Sequence, residues 1–238
     1  IRVYDVDGLF ASIIADGVYA YAEQLKNAFV TLDGGVRIGV AGEYVTERGA
    51  ITAVRCVTSL NIRIPHDIKG CALDICSLIE ERGVNSLVIF SPPGYGKTTM
   101  LRDLARYLGR KNNVLVFDER NEIAAADSDG DGYLLGERCD IGRGGNKLGA
   151  FACAIRTMKP QIIITDELYG ERDIEAVKYA SDCGIAVYAS THITDKDIHK
   201  SMPFEYFCRL TGIGKSVVIY DKNFDIVRDY SGNDGDRR

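Results

Sequence analysis

The chain has 238 residues, of which 46% are hydrophobic and 26% are charged. These fractions are ordinary for a globular protein and exclude global disorder, a collagen and a coiled coil. The chain has 29 Lys and Arg against 34 Asp and Glu, which gives a net charge of −5. Proteins that bind duplex DNA usually have an excess of basic residues, which this chain does not have. Nucleic acid is therefore disfavoured as a partner.

The cysteines and the apolar runs indicate which kinds of protein this chain does not resemble. The seven cysteines form no C-x-x-C pair and most have apolar neighbours, so we expect buried, reduced thiols and no zinc site. No run approaches the roughly 20 apolar residues of a membrane span, and the start does not resemble a signal peptide. Because the chain begins with Ile1 and not with Met, we expect a fragment or a processed form.

The first part of the chain mixes glycines with β-branched residues, which predicts a small α+β domain over residues 1–80. The elements predicted there are helices over 17–29 and 71–81, strands over 36–40 and 51–64, and a turn at Asp33-Gly34-Gly35.

From residue 81 onward, apolar strands alternate with helices. This alternation predicts an α/β domain over 81–230 with a parallel sheet that is covered on both faces, followed by a flexible tail over 231–238. The predicted elements are strands 86–90, 114–117, 162–165 and 185–189, helices 98–108, 149–158 and 172–183, and a hairpin formed by 216–220 and 225–227.

The strongest motif is a glycine-containing loop between a predicted strand and a predicted helix, the context of a phosphate-binding loop. Its residues are Ser91, Pro92, Pro93, Gly94, Tyr95, Gly96, Lys97, Thr98 and Thr99. Gly94 and Gly96 let backbone N–H groups converge on phosphate oxygens. Lys97 supplies a charge for the β and γ phosphates of ATP, and Thr98 can offer its hydroxyl to Mg²⁺. Ser91 stands where the usual pattern has its first glycine.

The apolar strand over 162–165 ends in two acids, the pattern of a Walker B strand. At the carboxyl edge of a parallel sheet, Asp166 can accept a hydrogen bond from Mg²⁺-bound water and Glu167 can polarise the attacking water. Alternatively, the two acids only cap the following helix, whose first turn favours negative charge.

Two other predicted strands also end in polar residues. Glu119 and Glu122 follow the strand over 114–117, and His192 follows the strand over 185–189. His192 could sense a γ-phosphate through a hydrogen bond, although a structural histidine is the alternative. Glu119 and Glu167 remain equal candidates for the residue that orients water.

Together these motifs resemble those of the type II/IV secretion ATPases, which are RecA-like P-loop NTPases. The run from Phe117 to Ile123 resembles their Asp box, and Thr191-His192 resembles their His box. Residues 155–167 resemble their Arg-x-x-x-Pro-Asp lead into Walker B, with Gln161 in place of the usual Asp.

The N-terminal part is similar to one branch of this class, the stage III AA family of sporulation proteins. The segments that carry the similarity are residues 31–42 and 59–64, and the whole resemblance covers about residues 17–228. It implies a hexameric ring of ATPase subunits on the cytoplasmic face of a membrane, powering a secretion-like channel between mother cell and forespore. ATP and Mg²⁺ are the implied cofactors.

In ring ATPases a cation from a neighbouring subunit often completes the site. Arg138 and Arg156 occupy family-like positions, and we expect at least one arginine to act in trans. The other candidates are Arg37, Arg63, Arg143 and Arg172.

Two alternatives to a secretion motor stay open. One is an ATPase stimulated by nucleic acid, although the net charge counts against it. The other is a ring scaffold that binds ATP with little turnover, because Ser91 and Gln161 depart from the family pattern. The acidic run 127–132 resembles the start of a calcium loop, but Arg138 stands where its bidentate Glu belongs, so a flexible acidic loop is expected.

Overall fold

A computed structural model describes residues 5–15, 21–32, 36–47, 49–64, 67–126, 132–195, 201–212 and 217–230. The predicted turn at 33–35, nearly all of the acidic loop at 127–132 and the predicted tail at 231–238 lie outside these residues. The chain forms two compact units, Ile1–His66 with Ala125–Gly132, and Asp67–Ala124 with Tyr133–Arg238.

The smaller unit contains a three-stranded antiparallel sheet in the order β1-β2-β3. Its elements are α1 (Val6–Ile14), α2 (Ala22–Leu25), β1 (Phe29–Thr31), β2 (Arg37–Glu47) and β3 (Ala50–Arg63). Helix α1 begins at an Asp5 cap, whose Oδ1 accepts a hydrogen bond from Gly8 N at 2.7 Å. Phe10 of this helix packs with Val30 and Val57 in the core of the unit.

The predicted helix over 17–29 is wrong in its last part. Residues 16–20 lie outside the described chain, and helix α2 ends at Leu25. Ala28 has a φ of 56°, and Phe29 already belongs to strand β1. The helical spacing of apolar residues therefore arises here from a short helix followed by a strand, both of which turn apolar side chains toward one core.

The larger unit contains an eight-stranded sheet in the order β11-β10-β9-β4-β8-β7-β5-β6. The strands are β4 (Leu87–Phe90), β5 (Val114–Phe117), β6 (Cys139–Gly142), β7 (Ile162–Glu167), β8 (Ala186–Thr191), β9 (Tyr206–Leu210), β10 (Val217–Asp221) and β11 (Ile226–Asp229). Strands β4 to β9 run parallel, whereas β10 and β11 are antiparallel and form the predicted hairpin. The predicted α/β fold with a parallel sheet is confirmed.

Helices cover both faces of this sheet. They are α3 (Leu73–Arg82), α4 (Lys97–Leu108), α5 (Lys147–Thr157) and α6 (Glu171–Asp182). Alternate residues of a strand point to opposite faces, so Leu87 and Ile89 pack with the side chains of α3 and α4. Val88 and Phe90 pack with those of α5 and α6. The near-continuous apolar strands of the sequence follow from this double burial.

The expected domain boundary near residue 80 falls inside helix α3. Ile75, Cys76 and Leu78 of this helix are buried in the core shared with helix α4. Helix α3 is therefore part of the larger unit, and the division of the chain lies near residue 66.

Two strands of the larger sheet have no counterpart among the predicted elements. Strand β6 has the sequence Cys-Asp-Ile-Gly, and it pairs with β5 alone at the edge of the sheet, so it carries no apolar run. Strand β9 is central, but the exposed Arg209 interrupts its apolar residues.

The cysteines differ in part from the expected buried thiols. All seven are free, but Cys56, Cys153 and Cys183 are exposed, whereas Cys76 and Cys208 are buried. Burial raises the pKa of Cys76 to about 12. No helix within the described ranges is long and apolar enough to cross a membrane.

The backbone makes a close approach where helix α4 ends. A Cβ atom on Gly136 would lie 2.5 Å from the Cα atom of Gly109, which follows α4. The N–H of Arg138 donates to the carbonyl of Gly109 at 2.9 Å. Strand β6 begins at the next residue, Cys139.

We predict that Gly136→Ala lowers the thermal unfolding midpoint by roughly 4–8 °C, because relieving the clash costs about 2 kcal/mol. Gly142→Ala is the matched control: its Cβ would lie 3.5 Å from a Leu115 side-chain atom, an ordinary contact. Differential scanning calorimetry of both variants measures the effect, and equal midpoints would contradict the close approach.

Candidate functional site

The sequence-predicted acids and the glycine loop meet at the carboxyl edge of the parallel strands. The loop follows β4, Glu119 follows β5, Asp166 and Glu167 end β7, and His192 follows β8. Strands β4, β8, β7 and β5 are successive neighbours in the sheet. The fold therefore brings these side chains to one edge, as expected for the ends of parallel strands.

The glycine loop, residues 91–99, has the backbone that its sequence requires. Gly94 and Gly96 have φ values of 80° and 92°, which residues other than glycine rarely adopt. Ser91 is 1% exposed and is not among the described residues with positive φ. The loop therefore does not need a glycine at position 91.

Helix α4 starts directly behind this loop. The helix is 12 residues long, its cap residue Gly96 has no side chain to accept from the first-turn N–H groups, and its first turn contains no acid. The backbone N–H groups of a first helical turn have no partner inside the helix, and the helix dipole is positive there. This end of α4 can receive an anion.

Lys97 is the first residue of α4 and is 6% exposed. Its Nζ donates to the carbonyl oxygens of Ser91 at 2.8 Å and Pro92 at 3.2 Å, and it lies 2.7 Å from Nδ1 of His192. An ammonium group can only donate, so Nδ1 accepts and the imidazole proton belongs on Nε2. Burial lowers the pKa of Lys97 to about 8.

The imidazole of His192 connects the loop to an acid of strand β7. Its Nε2 lies 2.8 Å from Oε1 of Glu167, so it donates there when Nδ1 accepts from Lys97. The contacts run from Lys97 through His192 to Glu167 without a gap. A change in the hydrogen bonds of Lys97 can therefore alter the position of the Glu167 carboxylate through His192.

Glu167 has two further partners and is 7% exposed. Its Oε2 accepts from the Tyr169 hydroxyl and from Nη1 of Arg120, the latter at 3.4 Å. The Arg120 guanidinium also lies 5.0 Å from the centre of the Tyr169 ring. A carboxylate has about four acceptor positions, so Glu167 keeps one for a water molecule.

Lys147 is a buried residue that sequence reasoning missed. It is 3% exposed, and its Nζ lies 2.7 Å from Oε2 of Glu119, 3.3 Å from Oδ2 of Asp173 and 3.7 Å from Oδ1 of Asp166. Burial alone would lower the pKa of Lys147, but the hydrogen bond with Glu119 and the charges of Asp173 and Asp166 raise it overall. Its position in the first turn of α5, where a cation opposes the helix dipole, was a possible signal.

Asp166 is buried beside this lysine. Its Oδ2 accepts from the backbone N–H of Arg120 at 3.2 Å, whereas its Oδ1 has no hydrogen-bond partner among the described residues. Burial raises the pKa of Asp166 to about 6.

The residues fit a metal ion that is shared with phosphate oxygens. The described residues contain no group of three or more His, Cys, Asp or Glu side chains placed to hold a metal ion. Mg²⁺ in phosphate sites uses only one or two carboxylates together with waters and phosphate oxygens. The orphaned Oδ1 of Asp166 and the Thr98 hydroxyl at the start of α4 are suitable for this use.

Asp118 fixes the loop that carries Glu119 and Glu122. It is fully buried, and its carboxylate accepts from the backbone N–H groups of Glu122, Ile123 and Ala124 at 2.8–3.0 Å. The Arg102 side chain donates to the carbonyls of Glu122 and Ile123 at 2.6 and 2.7 Å. The Glu122 side chain itself is exposed.

Arg138 and Arg156 are not brought to this edge within the chain. Both are exposed, and they donate to the carbonyls of Lys111 and Ala152 at 3.1 Å. Arg138 precedes β6, and Arg156 lies in the last turn of α5, which leads into β7. They therefore lie toward the amino edge of the sheet, and their roles stay predictions.

Gln161, the other departure from the family pattern, also lies at the amino end. Its Oε1 accepts from the backbone N–H of Asn113 at 3.0 Å, directly before strand β7. The side chain joins two neighbouring strands and does not face the glycine loop.

A cavity of about 510 Å³ opens beside the glycine loop. It is lined by Tyr95 of the loop, by Thr194 after β8, by Arg209 and Thr211 at the end of β9, and by Tyr220 of β10. Strands β9 and β8 flank β4 on opposite sides, so residues from both sides of the loop line the cavity.

Comparisons with known proteins agree with the motifs. The family model for sporulation stage III, protein AA matches residues 8–223. Stage III sporulation protein AA of Bacillus subtilis (strain 168) is 32% identical over 234 residues, which cover 90% of this chain and 76% of that protein. Protein SEEDLING PLASTID DEVELOPMENT 1 of Arabidopsis thaliana is 30% identical over 142 residues, 57% of this chain and 20% of that protein.

A crystal structure of the pilus retraction motor PilT with bound ADP has a similar fold. The TM-score is 0.55 at 14% identity, and the match covers 80% of this chain and 61% of the PilT chain. The chain thus spans less than two thirds of that structure. The similarity shows the fold alone and confirms the expected RecA-like architecture.

We predict that Asp118→Asn lowers the free energy of unfolding by about 2 kcal/mol, because the amide cannot accept all three charge-assisted backbone hydrogen bonds. Asp140→Asn, which changes an exposed carboxylate of strand β6, is the control. Urea unfolding followed by circular dichroism measures both, and an unchanged Asp118→Asn variant would exclude the supporting role of this carboxylate.

Proposed function

The chain belongs to the stage III sporulation protein AA family, and from this premise we propose that it is an Mg²⁺-dependent ATPase of the secretion type. The observation that carries the proposal is the unbroken run of contacts from Lys97 of the glycine loop through His192 to Glu167. It joins an anion-binding helix end to a carboxylate able to orient water.

The surroundings of the glycine loop suggest how ATP is held. The loop backbone, the start of α4 and Lys97 hold the phosphates, with the γ-phosphate toward His192 and Glu167 on the β8 side. The cavity beside Tyr95 has a volume suited to a small ligand and is the place we propose for the nucleoside. Thr98 and Asp166 would hold Mg²⁺, which neutralises charge on the phosphate oxygens when it is bound.

Of the two glutamates left open by the sequence, Glu167 is the better residue to orient water. His192, Tyr169 and Arg120 fix its carboxylate from three directions and leave one acceptor position. Glu119 is instead paired with Lys147, and nearly half of its side chain is exposed. Glu122 stays a candidate at the surface.

Lys97 couples phosphate binding to the position of Glu167. Its ammonium has three N–H donors and three acceptors around it, the carbonyls of Ser91 and Pro92 and Nδ1 of His192. A bound phosphate has to replace at least one of these acceptors. Loss of the contact with His192 would release the imidazole that holds Glu167.

We further propose that copies of the chain form a ring, hexameric in the implied family architecture, on the cytoplasmic face of a membrane complex in the sporulating mother cell. Arg138 and Arg156 are exposed and lie away from the glycine loop of their own chain, which leaves them available to a neighbour. In the smaller unit, exposed Arg37 and Arg63 stand directly opposite each other on β2 and β3. Like charges at such positions are destabilising and favour a bound anion.

We expect the wild-type protein to hydrolyse ATP with Mg²⁺, and we expect Lys97→Ala to lose nucleotide binding because it removes the phosphate charge. Glu167→Gln should keep ATP binding but lose about 100-fold or more in kcat, the usual cost of removing a general base. Binding by calorimetry and phosphate release in steady state separate the two effects.

The control for this pair is Glu171→Gln, an exposed acid in the first turn of α6 that should leave both quantities unchanged. Normal ATP affinity in Lys97→Ala would overturn the assignment of the loop. A full loss of kcat in Glu119→Gln together with normal turnover in Glu167→Gln would transfer the water-orienting role to Glu119.

For the ring, we predict that ATP turnover per subunit rises as protein concentration is raised, because a neighbour completes the site. An arginine acting in trans supplies a factor of about 10³ or more in rate. The alanine variants of all six candidates are compared at saturating protein concentration: Arg138, Arg156, Arg37, Arg63, Arg143 and Arg172. A flat concentration profile, with full activity in all six variants, would show that each subunit holds a complete site.

A further inference from the structure

We propose that Lys147 is a positioning residue that makes metal binding at the acidic edge depend on nucleotide. The acidic edge is Glu119, Asp166 and Asp173. In the absence of nucleotide, the Lys147 ammonium takes the place of a divalent cation and keeps these carboxylates from binding free Mg²⁺. The inference rests on the proposed function, since Asp166 is assigned to the metal there.

The position of Lys147 connects three separate elements. Its Nζ contacts Glu119, which follows β5 in the chain, Asp166 at the end of β7 and Asp173 in the first turn of α6. The side chain is 2% exposed, so these carboxylates are its main source of compensation for lost hydration. One ammonium among three carboxylates leaves a formal charge of −2, which a single divalent cation can balance.

Two electrostatic effects make a buried lysine at position 147 unfavourable for folding. A buried cation loses its hydration, and a cation in the first turn of α5 faces the positive end of the helix dipole. A buried ion pair is seldom more stabilising than apolar residues of similar size. Folding stability alone therefore gives a weak reason for Lys147, and its effect on the neighbouring carboxylates is a better one.

The contact with Asp166 shows how the residue would act. Oδ1 of Asp166 is buried without a hydrogen bond in the described chain, and Lys147 Nζ lies 3.7 Å from it. An ion placed at this oxygen would be repelled by the ammonium at short range. Metal brought by a nucleotide has phosphate oxygens as additional ligands and can overcome this repulsion, whereas free Mg²⁺ cannot.

The test compares the wild type with Lys147→Met, which keeps most of the side-chain volume without the charge. In nucleotide-free protein, we expect MgCl₂ to raise the thermal midpoint of Lys147→Met relative to EDTA, with no such rise in the wild type. Mn²⁺ binding measured by electron paramagnetic resonance should be tighter in the variant, on the order of tenfold or more.

Two controls separate this role from simple ion pairing. Lys147→Arg keeps the charge and should restore the metal-insensitive behaviour of the wild type. Lys178→Met removes an exposed lysine of α6 and should also leave metal binding unchanged. If Lys147→Met is less stable but equally insensitive to Mg²⁺ and Mn²⁺, Lys147 is only a structural ion pair and the proposal is overturned.

Should Lys147→Met fail to fold, the double variant Lys147→Met with Asp173→Asn removes one charge of each sign. It should gain the same response to Mg²⁺, and its failure to do so would equally refute the proposal. These measurements use metal alone, so they remain informative if the protein does not hydrolyse ATP. Wild-type turnover tests the proposed function separately.

Discussion

Charge buried at the carboxyl edge of the parallel sheet is the constraint on which the site depends. Five ionisable residues there are each less than 10% exposed: Lys97, Asp118, Lys147, Asp166 and Glu167. An unpaired charge in such a place is costly, so each needs partners within reach. Asp118 uses backbone N–H groups, Lys97 uses loop carbonyls and an imidazole, and Lys147 uses carboxylates. The geometry of the loops follows from these requirements.

The paired charges form two groups that meet at Arg120. One runs from Lys97 through His192 to Glu167, and the other surrounds Lys147. The backbone N–H of Arg120 donates to Asp166 in the second group, and its guanidinium contacts Glu167 in the first. Because Asp166 and Glu167 are also adjacent in the chain, a ligand that displaces a partner in one group affects the other.

Much of this arrangement was accessible from the sequence, and the remainder has identifiable reasons. Apolar strands that end in polar residues placed the glycine loop, Asp166, Glu167 and His192 at one edge, because parallel strands end together. The position of Lys147 was not predicted, because the predicted helix began at residue 149 whereas α5 begins at Lys147, and periodicity does not show how deeply a side-chain tip is buried. The role of Asp118, which lies in the run from Phe117 to Ile123, was not predicted, because its partners are backbone N–H groups that leave no mark in side-chain patterns. Helix α2 and strand β6 were too short for periodicity to define.

The two ends of the large sheet have a consequence for how copies of the chain can associate. In the described part of the chain the sheet is bounded by β6 and β11, and each has only four residues. An edge strand offers unpaired backbone groups to a strand of another molecule, and a short strand offers few of them. Growth of a continuous β-structure from subunit to subunit is thus disfavoured at both ends of this sheet. The same shortness disfavours aggregation by strand addition at the edges of this sheet, whereas the 14-residue edge strand β3 of the smaller sheet has no such protection.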